Sequence, residues 1–224
     1  MSLWRHRDFR RFWSAQGVSE LGDRVTELAI PLIAVTTLHA SPQQVGLLTA
    51  VVWLPYIPSI FIGAWVDQQR RKRRLMIAAD LFRLVVLVSL PLAAWGGVLG
   101  IGQLYGVALL TGAAKVVFDT SYLSFFVRLV TKEQYVEANS KLSSTRAVSF
   151  IAGPAVGGAL IQILTAPLAV AVDAVSFAFS ALQISRVRVA DVEPDRSEGS
   201  LLRRARDGMV FLFRDRLLAR SCAR

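Results

Sequence analysis

The basic residues of this 224-residue chain fall in alternating gaps between long apolar segments. That rhythm restricts what the chain can fold into more than any other feature. The apolar stretches run over 14–38, 45–66, 75–98, 103–127, 142–164 and 166–185. About 20 apolar residues in a helix, rising ~1.5 Å each, cross a hydrocarbon layer of ~30 Å. The leader carries Arg5, Arg7, Arg10 and Arg11, and the second gap carries Arg70, Arg71, Lys72, Arg73 and Arg74. Arg128, Lys132 and Lys141 mark the fourth gap, and Arg186, Arg188 and Arg196 begin the tail. The first gap (39–44), the third (96–102) and the fifth (around Thr165) hold no Lys or Arg. Cytoplasmic loops keep basic residues and translocated loops lack them. The pattern therefore predicts an all-α membrane protein of six transmembrane helices, multi-pass in the cell membrane, with both termini cytoplasmic.

Composition removes the alternatives. Residues 45–66 contain no charge at all, whereas a transmembrane strand would be ~10 residues of alternating polarity. A net charge of +10 invites nucleic acid as a partner. Here, though, the basic residues border apolar spans, so the partner they indicate is the lipid bilayer and not nucleic acid. Cys222 is the only cysteine, which leaves no intrachain disulfide and no cysteine metal site. The N-terminus does not read as a cleavable signal peptide. No nucleophile–base pair, metal cluster or phosphate loop has the spacing an enzyme needs, and no cofactor is called for.

Three regions follow. Residues 1–13 form a basic leader whose Trp4, Phe9, Phe12 and Trp13 suit a membrane–water interface. Residues 14–188 hold the six spans, with Pro55 and Pro58 kinking the second. Residues 128–141 form a polar connection with a short helix through Lys132, Glu133 and Gln134. Residues 189–224 begin as polar linker. From Leu201, the residues Leu202, Ala205, Met209, Leu212 and Phe213 recur at helical spacing among arginines, which predicts an amphipathic helix on the inner leaflet.

Charges inside the spans are the candidate functional groups. A charge at the bilayer centre costs ~2.5–3.5 kcal/mol on insertion scales, so it should face the bundle interior or water. Asp23 and Glu27 in the first span, Asp119 in the fourth and Asp173 in the sixth are candidates for proton coupling or substrate contact. A carboxyl group in apolar surroundings can take up and release a proton near neutral pH. Asp80 with Arg83, three apart, and Lys115 with Asp119, four apart, have the spacing of intrahelical ion pairs. Arg146 opens the fifth span. Ion pairing that orients helices is the competing reading for Asp80, Arg83 and Arg146. Trp53, Tyr56, Phe118 and Tyr122 can line a pocket or pack between helices, and packing is favoured.

Two motifs narrow the reading. The loop after the second span runs Gly63-Ala-Trp-Val-Asp67-Gln-Gln-Arg-Arg71-Lys72. Positive-inside sorting explains its arginines but not Gly63 or Asp67. The loop resembles the signature of the major facilitator superfamily between helices 2 and 3. Gln68 and Arg70 depart from that signature, standing where a basic residue and a glycine are usual. The fifth span contains Gly153-Pro154-Ala-Val-Gly157-Gly158, which is similar to the Gly-Pro-x-x-Gly-Gly signature of the superfamily's exporter branch. The stretches 16–23, Ala138-Asn139 and Asp173-Ala-Val-Ser-Phe177 resemble its macrolide- and siderophore-exporter-like group.

The resemblance implies the N-terminal half of a proton-coupled efflux transporter for small amphipathic compounds. It implies a gate at Gly63, Asp67, Arg71 and Lys72, and a close-packed helix at Gly153, Pro154, Gly157 and Gly158. The partners implied are a small-molecule substrate, protons and a second six-helix half. Two alternatives stay open: a truncated fragment that transports nothing, or a six-helix module that must pair with another half.

Overall fold

The computed structural model describes residues 3–188. The amphipathic helix expected over 201–218 lies outside them. All regular structure among the described residues is helical. The elements are α1 (Arg7–Thr36), α2 (Pro42–Trp53), α3 (Ser59–Asp67), α4 (Lys72–Trp95), α5 (Ile101–Leu129), α6 (Tyr135–Leu164) and α7 (Ala166–Ser185). A 3₁₀ turn at Leu54–Tyr56 joins α2 to α3 into one rod. Pro55 sits in that turn and Pro58 caps α3, so the two prolines interrupt the helix along the rod. The boundaries follow the apolar stretches, with two shifts. α1 starts at Arg7, inside the expected leader, and α6 starts at Tyr135, so only Val130 to Gln134 joins α5 to α6. The expected short helix at Lys132–Gln134 is a 3₁₀ turn.

Among the described residues, five rods are long and apolar enough to cross a membrane: Pro42–Asp67, Lys72–Trp95, Ile101–Leu129, Lys132–Leu164 and Ala166–Ser185. α1, at 30 residues, has the length but is not among them. Glu20, Asp23, Arg24 and Glu27 fill its middle, and of these Asp23 turns fully inward while Glu27 stays exposed. The buried residues of α1 include Gln16, Ser19 and Asp23.

α7 packs along both α1 and α4, α4 along α5, α1 along α6, and the α2–α3 rod along α5. The core divides into two apolar layers. One end gathers Phe9, Phe12, Phe125, Phe126, Met76 and Ile184. The other gathers Ile33, Leu48, Leu87, Leu90, Leu104 and Val170. Charged residues collect where the layers meet.

The turns are built from local chemistry. Ser41 and Gln44 form a reciprocal capping box at the start of α2. Thr165 alone links α6 to α7, at φ 78°. Ser41→Ala should lower stability by about 1 kcal/mol, the usual worth of such a cap. A thermal melt in detergent reads this as a lower midpoint, and Ser41→Asn should restore it.

Candidate functional site

Asp23 is the hub of the charged belt. Lys115 Nζ of α5 donates to its Oδ2 at 2.7 Å, and Arg83 Nη2 of α4 donates to its Oδ1. One carboxylate thus ties three helices together. The Arg83 guanidinium also lies 3.8 Å from the Phe177 ring centroid, a cation–π contact with α7. Asp173, fully buried on α7, accepts from Thr26 Oγ1 and from Ser176 Oγ, the latter at 2.9 Å. Among the described residues it forms no salt bridge. Gly22 makes this approach possible: a Cβ there would collide with the Asp173 carboxylate and the Ser176 hydroxyl.

Around these groups the helices leave a cavity of about 550 Å³. That is within the range of small-molecule sites. Asp23, Glu27, Arg83, Lys115 and Asp173 supply its polar wall, and Ile30, Leu48, Val52, Trp53, Leu87 and Phe150 its apolar wall. Glu27 is paired with Arg24 at 2.7 Å, and Arg24 lies 5.2 Å from the Phe150 ring centroid. The Glu27 side chain stays 54% exposed, and that of Lys115 32%. Both can therefore meet a guest.

The pairing expected from spacing is replaced by pairing across helices. Lys115 reaches Asp23, not Asp119, and Arg83 reaches Asp23, not Asp80. An i,i+3 or i,i+4 partner competes with any anion a neighbouring helix brings close, and here α1 brings one. Asp119 is half-buried and lies off the cavity wall. Asp80 is fully buried, with Ser180 and Arg83 near enough to act on it but neither of its oxygens in hydrogen-bond geometry. Arg146 donates to Glu20 at 3.2 Å and lies over Tyr122, joining α6 to α1 and α5. Trp53 faces the cavity, while Phe118 and Tyr122 pack in the core. Thr26 and Phe150 escaped sequence reasoning, while Ser176 entered it only as part of the stretch 173–177, without a role of its own.

The loop between α3 and α4 holds together through Lys72. Its buried ammonium donates to the Val66 carbonyl and sits 3.7 Å from Asp67 Oδ1. Arg71 precedes α4 and is exposed. Arg73 donates to the Val187 carbonyl at 2.7 Å, tying this loop to the end of α7. Gly63 faces Thr120 of α5 without crowding. On α6, Gly153 and Gly157 are buried against α1, while Pro154 and Gly158 are exposed.

A family model described as transmembrane secretion effector matches residues 1–224. No curated protein and no solved structure matches the sequence. Five apolar rods, a charged cavity among them and a match over the whole sequence agree on a multi-pass membrane protein of transport type. The chain belongs to the transmembrane secretion effector family, within the major facilitator superfamily.

Proposed function

We propose that this chain is the N-terminal six-helix half of a proton-coupled exporter of small amphipathic compounds, of the macrolide- and siderophore-exporter-like group. In this reading α1 is the sixth span, both termini are cytoplasmic, and the protein resides in the cell membrane. The observation that carries the reading is Asp23, held between Arg83 and Lys115 on the wall of a cavity that also exposes Trp53 and Phe150. A proton on Asp23 removes the anion that holds two cations. Lys115 and Arg83 must then find other partners, and α4 and α5 lose a tie to α1. Asp173, served only by hydroxyls, offers a second carboxyl in the same cavity. An apolar body fits against Trp53, Leu87 and Phe150 while a polar group meets Glu27 or Lys115. Facing halves that rock about a midplane site are the common plan of such transporters. The Lys72–Asp67 pair and the Arg73–Val187 bond would belong to the gate on the basic face.

Everted membrane vesicles test this directly. The assembled transporter should move a fluorescent amphipathic dye when a pH gradient is imposed, and a protonophore should stop it. This chain alone should give no flux. Export that persists after the gradient collapses would overturn proton coupling, and flux from this chain alone would overturn the half-transporter reading.

A further inference from the structure

A second cavity, of about 510 Å³, lies away from the charged belt, between the start of α1 and the end of α7. Arg7, Arg10, Arg11 and Ser14 line one side of it. They follow each other at i, i+3, i+4 and i+7, so they share one face of α1. Gln183 of α7 closes the floor by donating to Ser14 Oγ at 3.2 Å. Trp4 and Trp13 form the wall, packed edge to face at 5.1 Å between ring centroids. Trp13 is anchored by its Nε1–H, which donates to Thr145 Oγ1 of α6 at 2.9 Å.

Among the described residues the charges in this groove are not balanced. Arg11 is committed, donating to the Arg186 carbonyl at 2.8 Å and pairing with Asp8 at 3.4 Å. Arg7 and Arg10 make no side-chain hydrogen bond or ion pair among the described residues. Among the described residues Asp8 is the one acid in the first turns of α1, and Arg11 already holds it. The groove also has a defined depth. α7 is a candidate span ending at Ser185, so Gln183 lies within its last turn, at a membrane–water boundary. Exposed Phe179 and Val175, one and two turns back from Gln183, continue from the groove toward the membrane interior. Val18, one turn after Ser14 on α1, does the same. Tryptophans at a boundary, free guanidinium groups above them and an apolar track below match the parts of a phospholipid.

The geometry points to a binding site for an anionic phospholipid, with Arg7 and Arg10 on the phosphodiester, Trp4 and Trp13 at the glycerol level, and an acyl chain along Phe179 and Val175. Guanidinium forks suit phosphate oxygens in shape as well as charge. A lipid seated there bridges α1 and α7, the two helices that bring Asp23 and Asp173 together.

The test uses the purified full chain in detergent and brominated lipids, which quench nearby tryptophan fluorescence. Trp53, Trp65 and Trp95 are replaced by Phe, so that Trp4 and Trp13 are the only reporters. Brominated phosphatidylglycerol should quench at lower concentration than brominated phosphatidylcholine with the same chains. Glycerol phosphate should compete poorly, since it lacks the chains. Arg7→Gln with Arg10→Gln should weaken phosphatidylglycerol about 30-fold, from the loss of two basic contacts. Arg7→Lys with Arg10→Lys keeps the charge but not the fork, and should weaken binding less than the glutamine pair does. Arg70→Gln with Arg74→Gln changes the net charge equally and should leave binding within about twofold. Equal quenching by the two lipids, full competition by glycerol phosphate, or an equal loss from the Arg70 and Arg74 pair would each overturn the site. The lipid comparison on the Arg7- and Arg10-bearing protein decides even if the glutamine variant fails to fold. Because the assay reads neither flux nor sidedness, its failure leaves the transport reading untouched.

Discussion

Asp23→Asn is expected to abolish pH-gradient-driven export by the assembled transporter and to lower the melting temperature of this chain in detergent. The two effects have separate causes. Asn keeps the shape of the side chain but not its charge, so Arg83 and Lys115 lose their common anion. Removing one member of a buried ion pair costs about 3–5 kcal/mol, because the other charge stays buried without compensation. Most of that cost falls on Arg83, whose side chain is 6% exposed. Lys115 is 32% exposed, and water screens it in part. The double variant Asp23→Asn with Arg83→Met should therefore melt higher than Asp23→Asn alone, because it removes the stranded cation. Such non-additivity is the mark of a direct interaction. Transport should stay lost in the double variant, since the group that would carry the proton is still missing. Normal export by Asp23→Asn in vesicles with an imposed pH gradient would sink the coupling role. If export survived while the melting temperature fell, Asp23 would be a clamp between helices and nothing more.

The rods were legible because two one-dimensional signals coincide: apolar length sets the helices, and Lys and Arg placement marks the loops. α1 was read as the apolar stretch 14–38, yet it is not among the rods apolar enough to cross a membrane, since a helix that turns Asp23 inward carries its charges in the middle. The site was legible only as a list of parts. Asp23, Glu27, Lys115 and Asp173 stand out as charges in apolar runs, and the cavity does gather these four. Their partners were not legible. Spacing along one helix offers Lys115 an acid four residues on, yet the acid it meets is 92 residues away in the chain. The same holds for Arg83, which reaches back 60 residues. Sequence spacing registers neighbours on a helix face; it carries no record of which face another helix will present. Asp119 shows the converse, since an acid within an apolar span need not reach the cavity.

The glycines of α6 give the other large effect, and they separate a motif into parts that sequence alone leaves equal. A Cβ on Gly153 would sit 2.5 Å from Arg24 Cβ and 2.6 Å from its Cγ. Rotation about χ1 can move the Cγ, but the Cβ is fixed to the α1 backbone, so any side chain there forces α1 and α6 apart. At Gly157 the nearest atoms are Leu28 Cδ1 at 3.1 Å, a mobile tip, and Val25 Cα at 3.3 Å, which is fixed. At Gly158 nothing lies within 4 Å. Overpacking a tight contact costs about 1–3 kcal/mol and sometimes more. Gly153→Leu should therefore be the most destabilising of the three leucine substitutions, Gly157→Leu intermediate, and Gly158→Leu close to neutral in a detergent melt. Prying α1 from α6 also moves Arg24, which lies over Phe150 at the cavity wall. Gly153→Leu should then weaken dye export even in protein that survives purification, while Gly158→Leu should not. A flat response across the three positions would mean that α1 and α6 do not meet through Gly153, and the close contact that shapes this side of the cavity would have to be abandoned.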